Sequence, residues 1–259
     1  MKKKDNQLIY IIGINCEVGK ILNKKFRETG YRVDGCSSKI NSGYDFHNNF
    51  IKIDKKILKK IASAKIVIIL SWVRCFNAMK DQKKNTDLAL KIANILNKYT
   101  NARKFFISTA IAKNNPVSFY GKSKKYVAEF YKKRGIIPIY MGTLLDNGKT
   151  KQEKFWRRIS NYKIKIQFPV HEEIFLTPAN KLIQCIINDN NVNISEKKRL
   201  NHYMRSISNN NHLLKVNFPF VLFKYIYNFF WIVRFVPRHM DAFATVLNTT
   251  FKINRKFNN

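Results

Sequence analysis

Acidic residues are scarce in this chain: 16 Asp and Glu stand against 49 Lys and Arg among 259 residues, a formal charge of +33. Glycine (9), proline (6) and cysteine (4) are also few. So little glycine and proline excludes a collagen-like or low-complexity chain. Cys16, Cys36, Cys75 and Cys185 are scattered and form no CxxC pair, which excludes a disulfide scaffold and suits a reducing cytoplasm. The five histidines (His47, His171, His202, His212, His239) lack ligand spacing, so no metal site is expected. No nucleophile elbow supports Ser–His–Asp catalysis. Met1-Lys2-Lys3-Lys4 precedes only the short apolar run Leu8 to Ile12, with no small-residue cleavage site, so no signal peptide is expected.

What the chain does have is apolar: 45% hydrophobic and 14% aromatic residues, too many for a disordered chain in spite of the charge. The length allows one sizeable domain with a smaller lobe. The cationic excess is mostly lysine spread along the sequence, without zinc-finger spacing, a helix-turn-helix or an RNA-binding aromatic signature. Specific nucleic-acid binding is therefore not expected, whereas attraction to an anionic membrane surface is.

Continuous apolar runs at Leu8 to Ile12 and Ile66 to Leu70 read as strands buried on both faces. Tyr31 to Cys36, Lys104 to Ile107 and Ile136 to Met141 read as further strands. Helices are expected over Val18 to Thr29, Asp81 to Tyr99 and Phe119 to Lys133, with Gly30 and Gly135 as stops. Strand–helix alternation of this kind predicts an α/β fold: a doubly wound, Rossmann-like parallel sheet with ligands beyond the carboxyl ends of its strands. After Met141 the pattern weakens. A helix ending near Trp156 to Tyr162, a strand over Lys163 to Phe168 and a helix opened by Thr177 as N-cap with Pro178 at its first position are expected. The division this implies is a dinucleotide-binding unit over 1–145, a reduced substrate lobe over 146–215, and an apolar, basic C-terminal helix and tail over 216–259.

Gly13-Ile14-Asn15-Cys16-Glu17-Val18-Gly19 joins the first strand to the first helix. Glycines there permit a tight turn and let a pyrophosphate approach amides at a helix N-terminus. Gly13 and Gly19 keep GxxGxxG spacing, with Cys16 in place of the middle glycine and Glu17 adding negative charge. Gly13, Asn15, Cys16, Val18 and Gly19 are the candidate phosphate-side residues, and Ser71 lies after the third strand. Ser37-Ser38-Lys39 follows the second strand: hydroxyls and a cation suit a 2′-phosphate, an acidic residue would have favoured NAD, and a plain solvated loop is the alternative. The cofactor is thus NAD or NADP.

Tyr120-Gly121-Lys122-Ser123-Lys124 opens a helix, and Tyr120 and Lys124, four apart, share one face. A nearby ammonium stabilises a phenolate and brings a phenol of ordinary pKa about 10 toward use as an acid/base. Ser108 and Thr109, at the end of the preceding strand, offer a hydroxyl to the same substrate oxygen. For an isolated Tyr-x-x-x-Lys pair the alternative is a solvated helix face.

Phe106-Ile107-Ser108-Thr109-Ala110 followed by Tyr120-Gly121-Lys122-Ser123-Lys124 resembles the extended short-chain dehydrogenase/reductases, and within them the NAD-dependent epimerase/dehydratase branch that acts on sugar nucleotides. The resemblance covers about residues 7 to 145, and weakly to about 190. It implies Tyr120 as acid/base, Lys124 as the residue that holds the nicotinamide ribose and tunes Tyr120, Ser108 or Thr109 as the group that steadies the reacting oxygen, and Asn85 as the family's structural Asn. It also implies a homodimer. Three features depart from the family: Cys16 for a glycine, Ser71-Trp72 for small residues, with Trp72 expected on the adenosine side of the groove, and a short substrate lobe.

Phe218 to Val236 is apolar and aromatic, bounded by Pro219 and Pro237. Lys224, Asn228 and Arg234, joined by Tyr227 and Trp231, fall on about a third of its circumference. That pattern suits a helix lying in a membrane interface; packing on the protein and a true span are the alternatives. The expected function is an NAD(P)-dependent epimerase or oxidoreductase acting on a nucleotide-linked or lipid-linked sugar in cell-surface polysaccharide synthesis, cytoplasmic and peripheral on the inner face of the membrane. The alternative is a catalytically inactive dinucleotide-sensing or scaffold protein on the same fold.

Overall fold

The computed structural model describes residues 7–37, 55–72, 77–113, 116–161, 164–167, 172–188, 194–208, 214–217, 219–237, 240–241 and 244. Strands β1 (Leu8–Ile12), β2 (Arg32–Cys36), β3 (Ile66–Ile69), β4 (Arg103–Thr109) and β5 (Ile137–Met141) form one parallel sheet in the order β2-β1-β3-β4-β5. Helices α1 (Glu17–Glu28), α2 (Lys55–Ser63), α3 (Ala78–Tyr99) and α4 (Phe119–Lys132) connect them. Because successive strand residues point to opposite faces, each strand feeds two cores. Tyr10, Ile12, Val67, Ile69 and Phe106 pack under α2, α3 and α4. Ile9, Ile11, Ile66, Ile68, Phe105 and Ile107 pack under α1. The sheet is therefore covered on both sides, a Rossmann-like arrangement as the alternation requires.

Element ends follow local chemistry. α1 begins at Glu17 because the Cys16 thiol caps it, accepting from the Gly19 amide at 3.3 Å. α3 begins at Ala78, three residues before the expected Asp81, because Asn77 Oδ1 accepts from the Met79 amide. α2 carries little signal in the sequence: only Ile57 and Ile61, one turn apart, are buried.

After β5 come β6 (Thr143–Leu145), α5 (Lys151–Ser160), β7 (Ile164–Gln167), β8 (Glu173–Pro178), α6 (Ala179–Asn188), β9 (Glu196–Arg199), α7 (Leu200–Ile207), β10 (Leu214–Asn217) and α8 (Phe220–Ile232). β6, β8 and β9 form a small mixed sheet, and β7 pairs with β10 in parallel. α6 returns to the large sheet, where Leu182 and Ile186 join the core under α1. Thr177 is not an N-cap and Pro178 is not the first residue of a helix: both end β8, opposite Leu144 and Leu145. Thr177 Oγ1 accepts from the Gly142 amide at 2.9 Å and bonds Ser195 Oγ at 2.8 Å, which holds it in the strand. Pro178 is tolerated because β9 pairs only as far as Leu176.

α8 is shorter than its apolar run. It stops at Ile232, and Arg234, at φ 54°, turns the chain back. Val236 then meets the start of α3, its carbonyl accepting from the Ala78 amide at 2.9 Å. The expected cationic stripe is not the outward face. Tyr227 is buried and Trp231 stacks on Phe119 at 4.4 Å, so the side bearing these rings faces the protein. Among the described residues no helix is long and apolar enough to cross a membrane.

Candidate active site

In sheets of this order the chain reverses direction between β1 and β3, and a crevice opens there at the carboxyl edge. Gly13 lies at that point. Its φ of 100° suits glycine, and a Cβ there would stand 3.0 Å from the Ser71 amide nitrogen. The turn is also tied to β2, because the Cys36 carbonyl accepts from the Gly13 and Ile14 amides at 2.8 and 3.1 Å. Cys36 itself is buried, and desolvation pushes its thiol up to about 11, which keeps it neutral.

The remaining turn residues are placed as follows. Asn15 Nδ2 donates to Ser37 Oγ at 2.6 Å, joining the first turn to the end of β2. Val18 packs against the core under α1. The amides of Asn15, Glu17 and Val18 take no backbone acceptor among the described residues, as at any helix N-terminus. Cys16 does not crowd them: its sulfur folds back to the Gly19 amide. The Glu17 carboxylate accepts instead from the Lys151 amide at the start of α5, so its charge is drawn to the positive end of a second helix. Ser38 and Lys39 lie outside the described residues.

Tyr120 and Lys124 meet as their spacing implies. Lys124 Nζ is 5.9 Å from the Tyr120 ring centre. Lys124 is 5% exposed, and its ammonium donates to the Ile107 carbonyl at 3.1 Å, near the carboxyl end of β4. Ser108, on the same face of β4 as Phe106, donates to the Lys124 carbonyl at 3.4 Å. Its hydroxyl thus serves α4. Thr109, half-buried at the last position of β4 and paired there with Met141, makes no side-chain hydrogen bond among the described residues and is the better placed of the two for a ligand. Asn85 is buried on α3.

Two further residues, Trp72 and Asp241, shape this end. Trp72 does not stand at the adenosine side. Its ring centre lies 4.1 Å from Lys124 Nζ, and it packs edge-on against Tyr120 at 5.9 Å. Phe106 lines the ammonium from below at 4.6 Å. Lys124 therefore sits in a cation–π box. The second is Asp241, 1% exposed, whose two oxygens accept from the Phe119 and Tyr120 amides at 2.8 Å each. Tyr227 OH donates to the same carboxylate at 2.8 Å. Asp241 lies more than a hundred residues from α4 in sequence, so no local pattern announces it.

The fit to a dinucleotide differs along the crevice. The glycine turn and the amides after it fit a pyrophosphate. Ser71 Oγ, Trp72 Nε1 and Ser123 Oγ are buried without a hydrogen-bond partner among the described residues. Such groups cost about 1–3 kcal/mol each, so this edge holds polar capacity suited to a polar ligand. The nicotinamide end does not fit while the indole covers Lys124. Among the described residues no cluster of ligating side chains can hold a metal ion.

Neither a family model nor a curated protein matches the chain. Solved structures do. UDP-glucose 4-epimerase from Thermotoga maritima superposes with a TM-score of 0.59 at 16% identity, over 82% of this chain and 86% of that one. ADP-L-glycero-D-manno-heptose-6-epimerase from Helicobacter pylori gives 0.61 at 14%, over 83% and 87%. A short-chain dehydrogenase/reductase superfamily protein from Agrobacterium tumefaciens with bound NAD gives 0.55 at 12%, over 82% and 85%. The chain has the fold of these proteins over most of its length.

Proposed function

We propose that the protein is an NAD- or NADP-dependent epimerase or oxidoreductase acting on a nucleotide-linked or lipid-linked sugar, in the making of a cell-surface polysaccharide. The observation that carries this reading is the Tyr120–Lys124 pair, 5.9 Å from ring centre to Nζ, with the ammonium held by the Ile107 carbonyl near the carboxyl end of β4, the strand that Thr109 ends. Similar structures include sugar-nucleotide epimerases and a protein with bound NAD, which supports the substrate class and the cofactor. With the Trp72 indole moved off Lys124, a bound dinucleotide would supply hydride exchange. The chain's own residues do the rest. The Tyr120 phenol exchanges a proton with a sugar hydroxyl, the Lys124 ammonium favours the phenolate, and the Thr109 hydroxyl steadies the reacting oxygen. The amides of Asn15, Glu17 and Val18 hold phosphate.

A second reading, a non-catalytic dinucleotide-sensing or scaffold protein on this fold, is favoured by the indole over Lys124. Calorimetric titration with NAD and NADP separates the two. Saturable binding of either, followed by interconversion of UDP-glucose and UDP-galactose or of another nucleotide sugar, supports the enzyme. Binding without turnover across a panel of nucleotide sugars supports the sensor. Absence of binding to either dinucleotide overturns the enzyme and the sensor and leaves the scaffold.

A further inference from the structure

α8 has two faces of opposite fate. Phe223, Tyr227, Phe230 and Trp231 face the protein and join the core of the C-terminal lobe. The other side presents Val221, Leu222, Tyr225, Phe229, Ile232 and Val233, all exposed, with Tyr225 at 71% and Ile232 at 77%. At 100° per residue these six fall within about 120° of arc. Lys224 is the one Lys, Arg, Asp, Glu or His in the helix, and it lies outside that arc. Soluble monomers rarely expose contiguous apolar patches beyond about a few hundred Å².

The helix cannot roll to bury this face. Tyr227 is hydrogen-bonded to Asp241, Trp231 is stacked on Phe119, and Lys122 Nζ lies 4.5 Å from the Trp231 ring. Beyond its end, Asn77 Nδ2 donates to the Arg234 carbonyl at 3.2 Å and Asn77 Oδ1 accepts from the Val236 amide. Among the described residues nothing covers the patch.

We propose that the outward face of α8 lies in the interface of an anionic lipid bilayer. The choice of occupant rests on charge. A chain of +33 complements an anionic surface, whereas a second copy would bring an equal positive charge to the same face. Length agrees: 13 residues make a helix about 20 Å long, too short for a hydrocarbon core of about 30 Å, so it lies in the plane instead of crossing. Apolar side chains enter the lipid while Lys122, Lys224 and Arg234, on the flanks, meet the headgroups. This inference does not depend on the dinucleotide reading.

The full-length protein is floated with vesicles of phosphatidylcholine alone and of phosphatidylcholine with phosphatidylglycerol. Binding is expected to the anionic vesicles, weakening as salt is raised, with at least tenfold less on pure phosphatidylcholine. The double variant Phe229→Glu with Ile232→Glu is expected to lose at least tenfold in partitioning at unchanged melting temperature. A second pair, Val221→Glu with Tyr225→Glu, repeats the test at the other end of the helix. Equal binding by wild type and both folded pairs overturns the proposal, since lysine charge alone would then suffice. No vesicle binding also overturns it, as does a stable dimer in sedimentation that these substitutions dissociate.

Discussion

The two ends of the crevice have diverged in opposite ways. At the β1–α1 turn the residue pattern is altered but the geometry is kept: Cys16 replaces a glycine, yet its sulfur serves as helix cap and the turn still closes against Ser71. At α4 the residue pattern is intact but its surroundings are altered: Tyr120 and Lys124 stand one turn apart, yet an indole covers the ammonium. The difference teaches that a motif reports the residues a site contains, while a neighbouring strand end decides whether those residues can be reached.

The largest effect is expected at the end where the pattern is intact. Tyr120→Phe should lower turnover by about 10²–10⁴-fold, the usual worth of a positioned acid/base, with dinucleotide affinity within about twofold of wild type by calorimetry. Retained turnover would remove Tyr120 from its role. Trp72→Ala tests the covering directly. Dinucleotide affinity should rise about tenfold, because the ligand no longer displaces a cation–π contact of about 1–2 kcal/mol. An unchanged dissociation constant would show that the indole is no barrier and would erase the contrast between the two ends.

Clamping of α4 from the C-terminal segment is tested by Asp241→Ala. It leaves two helix N-terminal amides and the Tyr227 hydroxyl without their acceptor. A loss of about 2 kcal/mol in denaturant unfolding is expected. A variant as stable as wild type would mean that α4 holds its place without this carboxylate. The smallest effect sharpens the other end. Cys16→Gly frees the Gly19 amide and should improve dinucleotide affinity by only a few-fold, while costing a few tenths of a kcal/mol in stability. A loss of affinity instead would assign the thiol a ligand-binding role.

Away from the crevice, Glu153 offers a pH test of the lobe. Burial pushes its carboxyl up, but the amides of Gly148, Thr150 and Asp146 override this and lower it overall. Its contribution is therefore full above the ordinary carboxylate value of about 4.3 and is lost as pH falls through the lowered folded value. Glu153→Gln should flatten that part of the acid unfolding curve, read as melting temperature against pH.

The strands of the large sheet and three of its helices were legible in the sequence because their signals are local: runs such as Leu8 to Ile12, and the turn of helix between Tyr120 and Lys124. The N-cap roles of Asn77 and Cys16 were not read, since a cap shows itself only against a known helix start. The helix expected from Thr177-Pro178 is α6, but it starts at Ala179, because Thr177 is held in the strand by Ser195, on another segment. At α8 periodicity separated a cationic third from an apolar remainder but did not tell which of them faces the protein.

By itself, then, the sequence determined the alternation of buried strands and amphipathic helices, the glycine turn and the phenol–ammonium pair, because hydrophobic period and backbone freedom act over a few residues. Only the tertiary structure decided what surrounds them: the indole over Lys124, the Asp241 carboxylate beneath Tyr120, and the outward aspect of α8. Those contacts join residues tens to more than a hundred positions apart, and their energies depend on burial, which no window of sequence contains.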